Sequence, residues 1–383
     1  MEEKLKLYLR TMAAHEGSDL HIKAGSRVRA RIHGQLKSMG KHVLKADEVA
    51  TLAKEIMSDI EYQKLIDTGS VDFSYAPDPQ SRYRTNVFKQ MDGLSIVLRV
   101  IPTKIPTLEE LKLPKVMAGF SDIPRGLVLV TGVTGSGKST TLAAMLRRIN
   151  EHYAKHIITL EDPIEFVHTD IKSLINQRAK GSDFEHFADA LPAALREDPD
   201  VILVGEMRDV ETIELALHAA NTGHLVFSTL HTLDAKETIN RIVGTFPMEE
   251  QDRIRLSLAS VISGIISQRL APTRKGGRIA VVEVMVQTSR IRELIAENRD
   301  VEIPDAIAEG KEVYGSQTFD QHLLDLVDTR TITEEIAMEY ATSPSDLKLK
   351  LEGVGRGGAK KAIHQEDQDP STLEAFEFKE EEE

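Results

Sequence analysis

Residues 132–139 read Gly-Val-Thr-Gly-Ser-Gly-Lys-Ser, which fits GxxxxGK[ST], and no other stretch restricts the possible folds as much. Such a loop works only between a strand and a helix. The preceding GLVLVT is a continuous apolar run, as expected of a strand buried on both faces. The following STTLAAMLRRIN places Leu142, Met145, Leu146 and Ile149 on one helical face. Between them, Gly132, Gly135 and Gly137 let the backbone wrap a polyphosphate with its N–H groups turned inward. The helix start adds the positive end of its dipole. Lys138 is then placed to meet the terminal phosphates and Ser139 to ligate Mg2+. Val133, Thr134, Ser136 and Thr140 complete the nucleotide-binding set. A chance glycine-rich turn is the alternative, and it requires both flanks to fit by accident.

The surroundings carry the same pattern. Strand-like runs at 127–131, 156–160, 201–204 and 225–229 alternate with helical segments, which signals a parallel-sheet α/β core; 279–286 extends the sheet or adds an edge hairpin. Ahead of it, residues 1–102 read as a small α+β domain. A helix is expected over 2–16, strands at 18–22, from Arg27, and near 71–75, 83–89 and 95–100, and a single helix over 46–65. Prolines 102, 106 and 114 make residues 103–116 a semi-rigid hinge linker. Residues 117–345 form the α/β domain with its C-terminal helices. Residues 346–383 read as a disordered acidic tail: the last twenty residues hold nine acids against Lys379 alone, a net −8 out of −13 for the whole chain.

Three further clusters carry chemistry. Val201-Ile-Leu-Val-Gly-Glu206 is an apolar strand ending in an acid, the arrangement that holds a Mg2+ shell or orients water beside a phosphate loop. Here Gly205-Glu206 stands where Asp is usual, so metal contact through water is expected. Leu160-Glu-Asp-Pro-Ile-Glu165 puts three carboxylates past another strand end, where ligands of open α/β sheets bind. One of them is a candidate base; a solvated acidic turn is the alternative. His224 and His231 bracket LVFSTL at a spacing that is not a zinc pattern. Either they sense the terminal phosphate or they are structural.

Composition excludes several classes. The net charge of −13 argues against coating nucleic acid by bulk positive charge. Without cysteine there is no disulfide framework, thiol nucleophile or Cys-ligated metal. No apolar run is long enough to span a bilayer, and MEEKLKLYLR does not read as a secretory leader.

Taken together, VTGVTGSGKSTTLAAML, ITLEDPIEFVH, ALREDPDVILVGEMRD and TGHLVFSTLHT, in that order, resemble the PilT-type retraction ATPases of type IV pili, members of the secretion-superfamily hexameric P-loop ATPases. SDLHI and IRELI add to the resemblance, which covers about residues 1–345. Departures are QMDG at 90–93, where family members often read QNRG, and Arg290 in place of a small residue before IRELI. Pro192 also stands in an expected helix before LRED, where a kink is expected.

The resemblance implies a RecA-like P-loop core with a parallel-dominated sheet, preceded by a PAS-like α+β domain. It implies that Glu165 is the catalytic glutamate, that Glu206 is the Walker B acid, and that His224 and His231 form a histidine box. Arg84 and Arg99 would reach a neighbour's nucleotide. The implied cofactors are ATP and Mg2+. The implied assembly is a homohexamer at the cytoplasmic face of the inner membrane, working on a pilus platform protein beside a PilU-like paralogue and retracting pili for twitching motility. Alternatives are a PilU-like accessory ATPase, a pilus-assembly or type II secretion ATPase, a P-loop DNA translocase, and a nucleotide-gated scaffold without turnover.

Overall fold

The computed structural model describes residues 1–78 and 81–353. The chain divides into two compact units, one of Met1–Leu270 with Ile279–Thr318, the other of Ala271–Arg278 with the chain from Phe319 on.

The first unit contains two sheets. The N-terminal sheet is built from β1 (Gly17–Lys23), β2 (Arg27–Ile32), β3 (Gln35–Val43), β4 (Ser70–Asp78), β5 (Ser81–Gln90) and β6 (Gly93–Ile101), in the order β3-β2-β1-β6-β5-β4 with antiparallel pairs throughout. Alternation sorts its faces. Leu20, Ile22, Val28, Ala30, Val87, Ile96 and Leu98 are buried with apolar residues of α1 (Glu2–Ala14), α2 (Ala46–Ile56) and α3 (Asp59–Thr68). The opposite face of the same strands carries Asp19, Arg29, Arg31, Arg84 and Arg99. The helix expected over 46–65 is two helices. Ser58 accepts from the backbone N–H of Glu61 at 3.3 Å while Glu61 bonds the Ser58 N–H at 2.7 Å, a reciprocal cap that starts α3 afresh.

The linker segment is anchored for most of its length. Ile105, Leu108 and Leu113 are buried, and Arg147 bonds the Ile105 carbonyl. Pro102, Thr103 and Lys104 form its longest exposed run.

The second sheet comprises β7 (Gly126–Thr131), β8 (His156–Glu161), β9 (Leu174–Ala179), β10 (Val201–Val204), β11 (Leu225–Leu230), β12 (Ile262–Pro272) and β13 (Arg278–Val286), ordered β13-β12-β7-β11-β10-β8-β9. The pairs from β12 through β9 are parallel. Leu127 and Leu129 of β7 enter one apolar cluster, and Val128 and Val130 the other. Helices cover both faces: α4 (Val116–Asp122) and α5 (Lys138–His152) contribute to one cluster. The other draws on α6 (Phe187–Ala194), α7 (Val210–Asn221), α8 (Ala235–Gly244), α9 (Met248–Val261) and α10 (Ser289–Ala296). This is the expected α/β core. Pro192 sits in the last turn of α6, which ends two residues later, so the chain turns there and no long kinked helix forms. The IRELI segment is α10, where Arg290 pairs with Glu309.

The second unit is helical, with Phe319–Asp328, Glu334–Tyr340 and Pro344–Leu351 supplying the buried Leu323, Ala337 and Leu347. The helix Pro344–Leu351 occupies the start of what sequence marks as tail; the rest of that tail, 354–383, lies outside the described residues. Among the described residues no helix is long and apolar enough to cross a membrane.

Candidate active site

β7 ends at Thr131 and the chain enters the loop through Gly132, whose φ of 139° belongs to glycine. A Cβ there would stand 2.4 Å from the Gln268 carbonyl oxygen and 2.6 Å from Ser136 Oγ, so no side chain fits. The loop closes at Gly137, the left-handed N-cap of α5, and Lys138 is the first helical residue. Its ammonium donates to the carbonyl oxygens of Gly132 at 2.7 Å and Val133 at 3.1 Å. Burial lowers the Lys138 pKa, and the nearby carboxylates of Glu206 and Glu165 oppose that shift. Both acids therefore act on the same ammonium. Val133, Thr134 and Gly135 are exposed at the loop tip, Ser136 is buried, and Ser139 and Thr140 occupy the first turn of α5.

Glu206 follows β10 at the same end of the sheet. Its approach is fixed by Gly205, whose N–H donates to Leu160 O at 2.7 Å and whose carbonyl accepts from Thr229 Oγ1 at 2.6 Å. A Cβ on Gly205 would come within 3.0 Å of Leu160 O, which accounts for glycine at the usual aspartate position. The Glu206 carboxylate pairs with Arg208 and lies 3.4 Å from His231 Nε2.

The two histidines part company. His231 follows the C-terminal end of β11 and so joins the loop end of the sheet. His224 precedes β11, at the far end, where its Nδ1 lies 3.0 Å from Ala219 O and its backbone carbonyl accepts from the Gly126 N–H. A six-residue strand is about 20 Å long, so the structure does not bring His224 to the phosphate loop of its own chain. That corrects the expectation for this residue.

The three acids at the end of β8 and just past it are likewise separated. Glu161 turns inward: its carboxylate accepts from Thr159 Oγ1 at 2.6 Å and Gln177 Nε2 at 3.1 Å. Burial raises its pKa, opposed by those bonds and by the Glu165 N–H. Asp162 pairs with Lys180 at 3.1 Å. Asp162 and Glu165 are exposed, and of the three acids it is Glu165 that lies within the field of Lys138. Gln177, from β9, staples this segment: it accepts from the His168 N–H at 2.8 Å and donates to Phe166 O at 2.8 Å as well as to Glu161. Sequence reasoning missed Gln177 because β9 was not foreseen. It missed Thr229 although that residue lies inside a recognised strand.

Arg84 and Arg99 are directly opposed on β5 and β6. Arg99 Nε donates to Asp19 Oδ1 at 2.7 Å, Arg31 Nε lies 3.8 Å from Asp19 Oδ2, and Arg84 Nε lies 3.8 Å from Asp72 Oδ1. Burial alone would raise the Asp19 pKa, but the bonds from Arg99 and Ser18 outweigh it and the net shift is downward. These guanidiniums thus belong to the N-terminal sheet and not to the sheet that bears the loop.

Among the described residues no group of three or more His, Cys, Asp or Glu side chains forms a metal cage. The Ser139 hydroxyl and Glu206 carboxylate are hard oxygen donors. Mg2+ characteristically takes one or two such protein ligands beside phosphate oxygens and water, so this donor set fits it.

The sequence matches the family model described as type II/IV secretion system protein over residues 1–337. It is 46% identical over 339 residues to the type IV pilus retraction ATPase PilT of Pseudomonas aeruginosa, covering 88% of this chain and 98% of that one. The chain belongs to the type II/IV secretion system family, in its PilT-type branch. To the type IV pilus ATPase PilU of the same organism a PilT-type chain such as this is less similar, at 37% with 90% of each chain covered. A crystal structure of the pilus retraction motor PilT with bound ADP superposes with a TM-score of 0.82 at 44% identity, covering 89% of this chain and 98% of that one.

Proposed function

We propose that this chain is an ATP-hydrolysing motor that retracts type IV pili. The observation that carries the reading is the convergence of Lys138, Glu165 and Glu206 at the carboxyl end of the parallel sheet, in a chain so similar to PilT over nearly all of PilT's length. The loop N–H groups and the start of α5 bind the phosphates. Lys138 exchanges its carbonyl partners for phosphate oxygens. Glu165, exposed and held by the Gln177-stapled segment, accepts a proton from the attacking water. Glu206, aligned by Gly205 and His231, orients that water and the metal shell. Ser139 and Glu206 would hold Mg2+, which would supply neutralisation of phosphate charge.

Arg84 and Arg99 lie on the other sheet, which favours their acting on a neighbouring subunit's nucleotide. A closed ring, a homohexamer, supplies such a neighbour. Bending at Pro102–Lys104 converts hydrolysis into displacement, with the load at the cytoplasmic face of a pilus platform protein in the inner membrane and a PilU-like paralogue as a further partner. The lower identity to PilU weighs against the accessory reading.

The test is a deletion strain complemented with wild type or with Lys138→Ala, scored for surface filaments. Retraction predicts excess filaments in the deletion, lost on wild-type complementation and kept with Lys138→Ala. Bald cells in the deletion would mean assembly, and an unchanged filament number would remove the chain from this machine.

A further inference from the structure

Gln268 lies on β12 immediately after Ser267, which pairs in register with Thr131 at the end of β7. It therefore stands beside Gly132, the first residue of the loop, and its carbonyl oxygen is what forbids a Cβ there. Its side chain is 2% exposed, and neither the amide nitrogen nor the amide oxygen has a hydrogen-bond partner. The nitrogen lies 3.7 Å from the Cβ position of Gly137, so the amide runs beneath the loop from its first glycine toward its last. Ser136, 3% exposed, also has a partnerless hydroxyl, 2.6 Å from the Cβ position of Gly132. Two buried polar groups without partners thus lie along the loop, the Ser136 hydroxyl beside Gly132 and the Gln268 amide beside Gly137. Such groups are costly and rare in native interiors, and they cluster where another arrangement of the site supplies the partner.

The Lys138 bonds indicate that arrangement. Its ammonium occupies the carbonyl oxygens of Gly132 and Val133. A terminal phosphate that draws the ammonium away leaves the buried Gly132 carbonyl without a donor, while the Val133 carbonyl keeps the Ser136 N–H at 3.2 Å. The buried donors without partners beside this loop are the Gln268 amide and the Ser136 hydroxyl. We propose that Gln268 is a positioning residue of the phosphate loop: when Lys138 moves to the nucleotide, Gln268, together with Ser136, donates to the Gly132 carbonyl that Lys138 releases. This rests on the phosphate-loop reading above and adds a residue to it. It ties the nucleotide to β12, an element outside the recognised motifs.

The test is equilibrium binding of fluorescent ATP and ADP analogues, beside the thermal midpoint of the free protein. Gln268→Met keeps the volume and removes the donor. The free protein is expected to be as stable as wild type or more so, because a partnerless amide is gone, while affinity for both nucleotides falls about tenfold or more. A merely structural glutamine moves the two readouts together. Gln268→Met with wild-type affinity overturns the proposal. So does loss of thermal midpoint without loss of affinity. Should Gln268→Met fail to fold, Ser136→Ala reads the other donor: weaker binding with an unchanged midpoint supports the exchange, and unchanged binding overturns it. Lys138→Ala separates the two failures. If it binds nucleotide normally, the loop reading itself is wrong; if it loses binding while Gln268→Met does not, only the donor exchange is.

Discussion

His231 Nε2 stands 3.4 Å from Glu206 Oε1, although one residue follows β11 and the other follows β10. The parallel register, with Val204 opposite Ser228, brings them together, and Thr229, two residues before His231, bonds Gly205 beside Glu206. The imidazole thus orients the carboxylate. His231→Ala is expected to lower ATP turnover by about 10²-fold while leaving nucleotide affinity near wild type, measured by steady-state hydrolysis and equilibrium binding. A pure KM effect contradicts the orienting role.

Gln177 makes three hydrogen bonds to the segment that carries Glu165, to Glu161, Phe166 and His168. Gln177→Leu removes them and leaves the Glu161 carboxyl short of a donor. The expected result is a loss of roughly 1–3 kcal/mol in unfolding free energy. A larger relative fall in kcat than in ATP affinity is also expected, because the base is displaced and the phosphate loop is not. Denaturant titration and kinetics check the two parts.

Burial pushes the His168 imidazole down to about 4, from an ordinary value near 6.5. The unfolded chain binds a proton there as pH falls through 6.5, and the folded chain does not until about 4. Stability is therefore full above 6.5 and declines on acidification, by about 2 kcal/mol at pH 5. His168→Gln is expected to show a shallower fall in thermal midpoint between pH 7 and pH 5 than wild type. Parallel curves contradict the assignment.

Arg99 is held by Asp19 on a sheet other than that of the phosphate loop. If it completes a neighbour's site, Arg99→Ala loses about 10³-fold or more in turnover, as expected for an arginine that neutralises charge in phosphoryl transfer. Subunits of Arg99→Ala co-assembled with subunits of Lys138→Ala regain part of the activity, since some interfaces then combine an intact loop with an intact arginine. No recovery in the mixture contradicts action between subunits.

The loop, its strand and its helix were legible because each obeys a local rule: β7 is apolar throughout and α5 keeps its 3.6-residue stripe. The same holds for β10 and β11. β9 was not legible, because LINQRA is half-exposed and carries no apolar run. β12 was hidden by Ser263 and Gly264; a Cβ on Gly264 would clash at 2.3 Å with the Phe120 ring, a packing reason invisible in sequence. The break between α2 and α3 was written in Ser58 and Glu61, but helical periodicity runs through it and masks the cap. His224 and His231 look equivalent as a pair, and only the direction of β11 in a parallel sheet tells which one reaches the loop. Gln177 and Gln268 are ordinary glutamines until tertiary contacts place them.

A structure determined with a non-hydrolysable ATP analogue and Mg2+ tests the central claim most directly. The terminal phosphates are expected within residues 132–139, with Lys138 Nζ moved from the Gly132 and Val133 carbonyls onto a phosphate oxygen and Glu165 facing the last phosphate. Phosphates bound elsewhere, with Lys138 still on those two carbonyls, would contradict it.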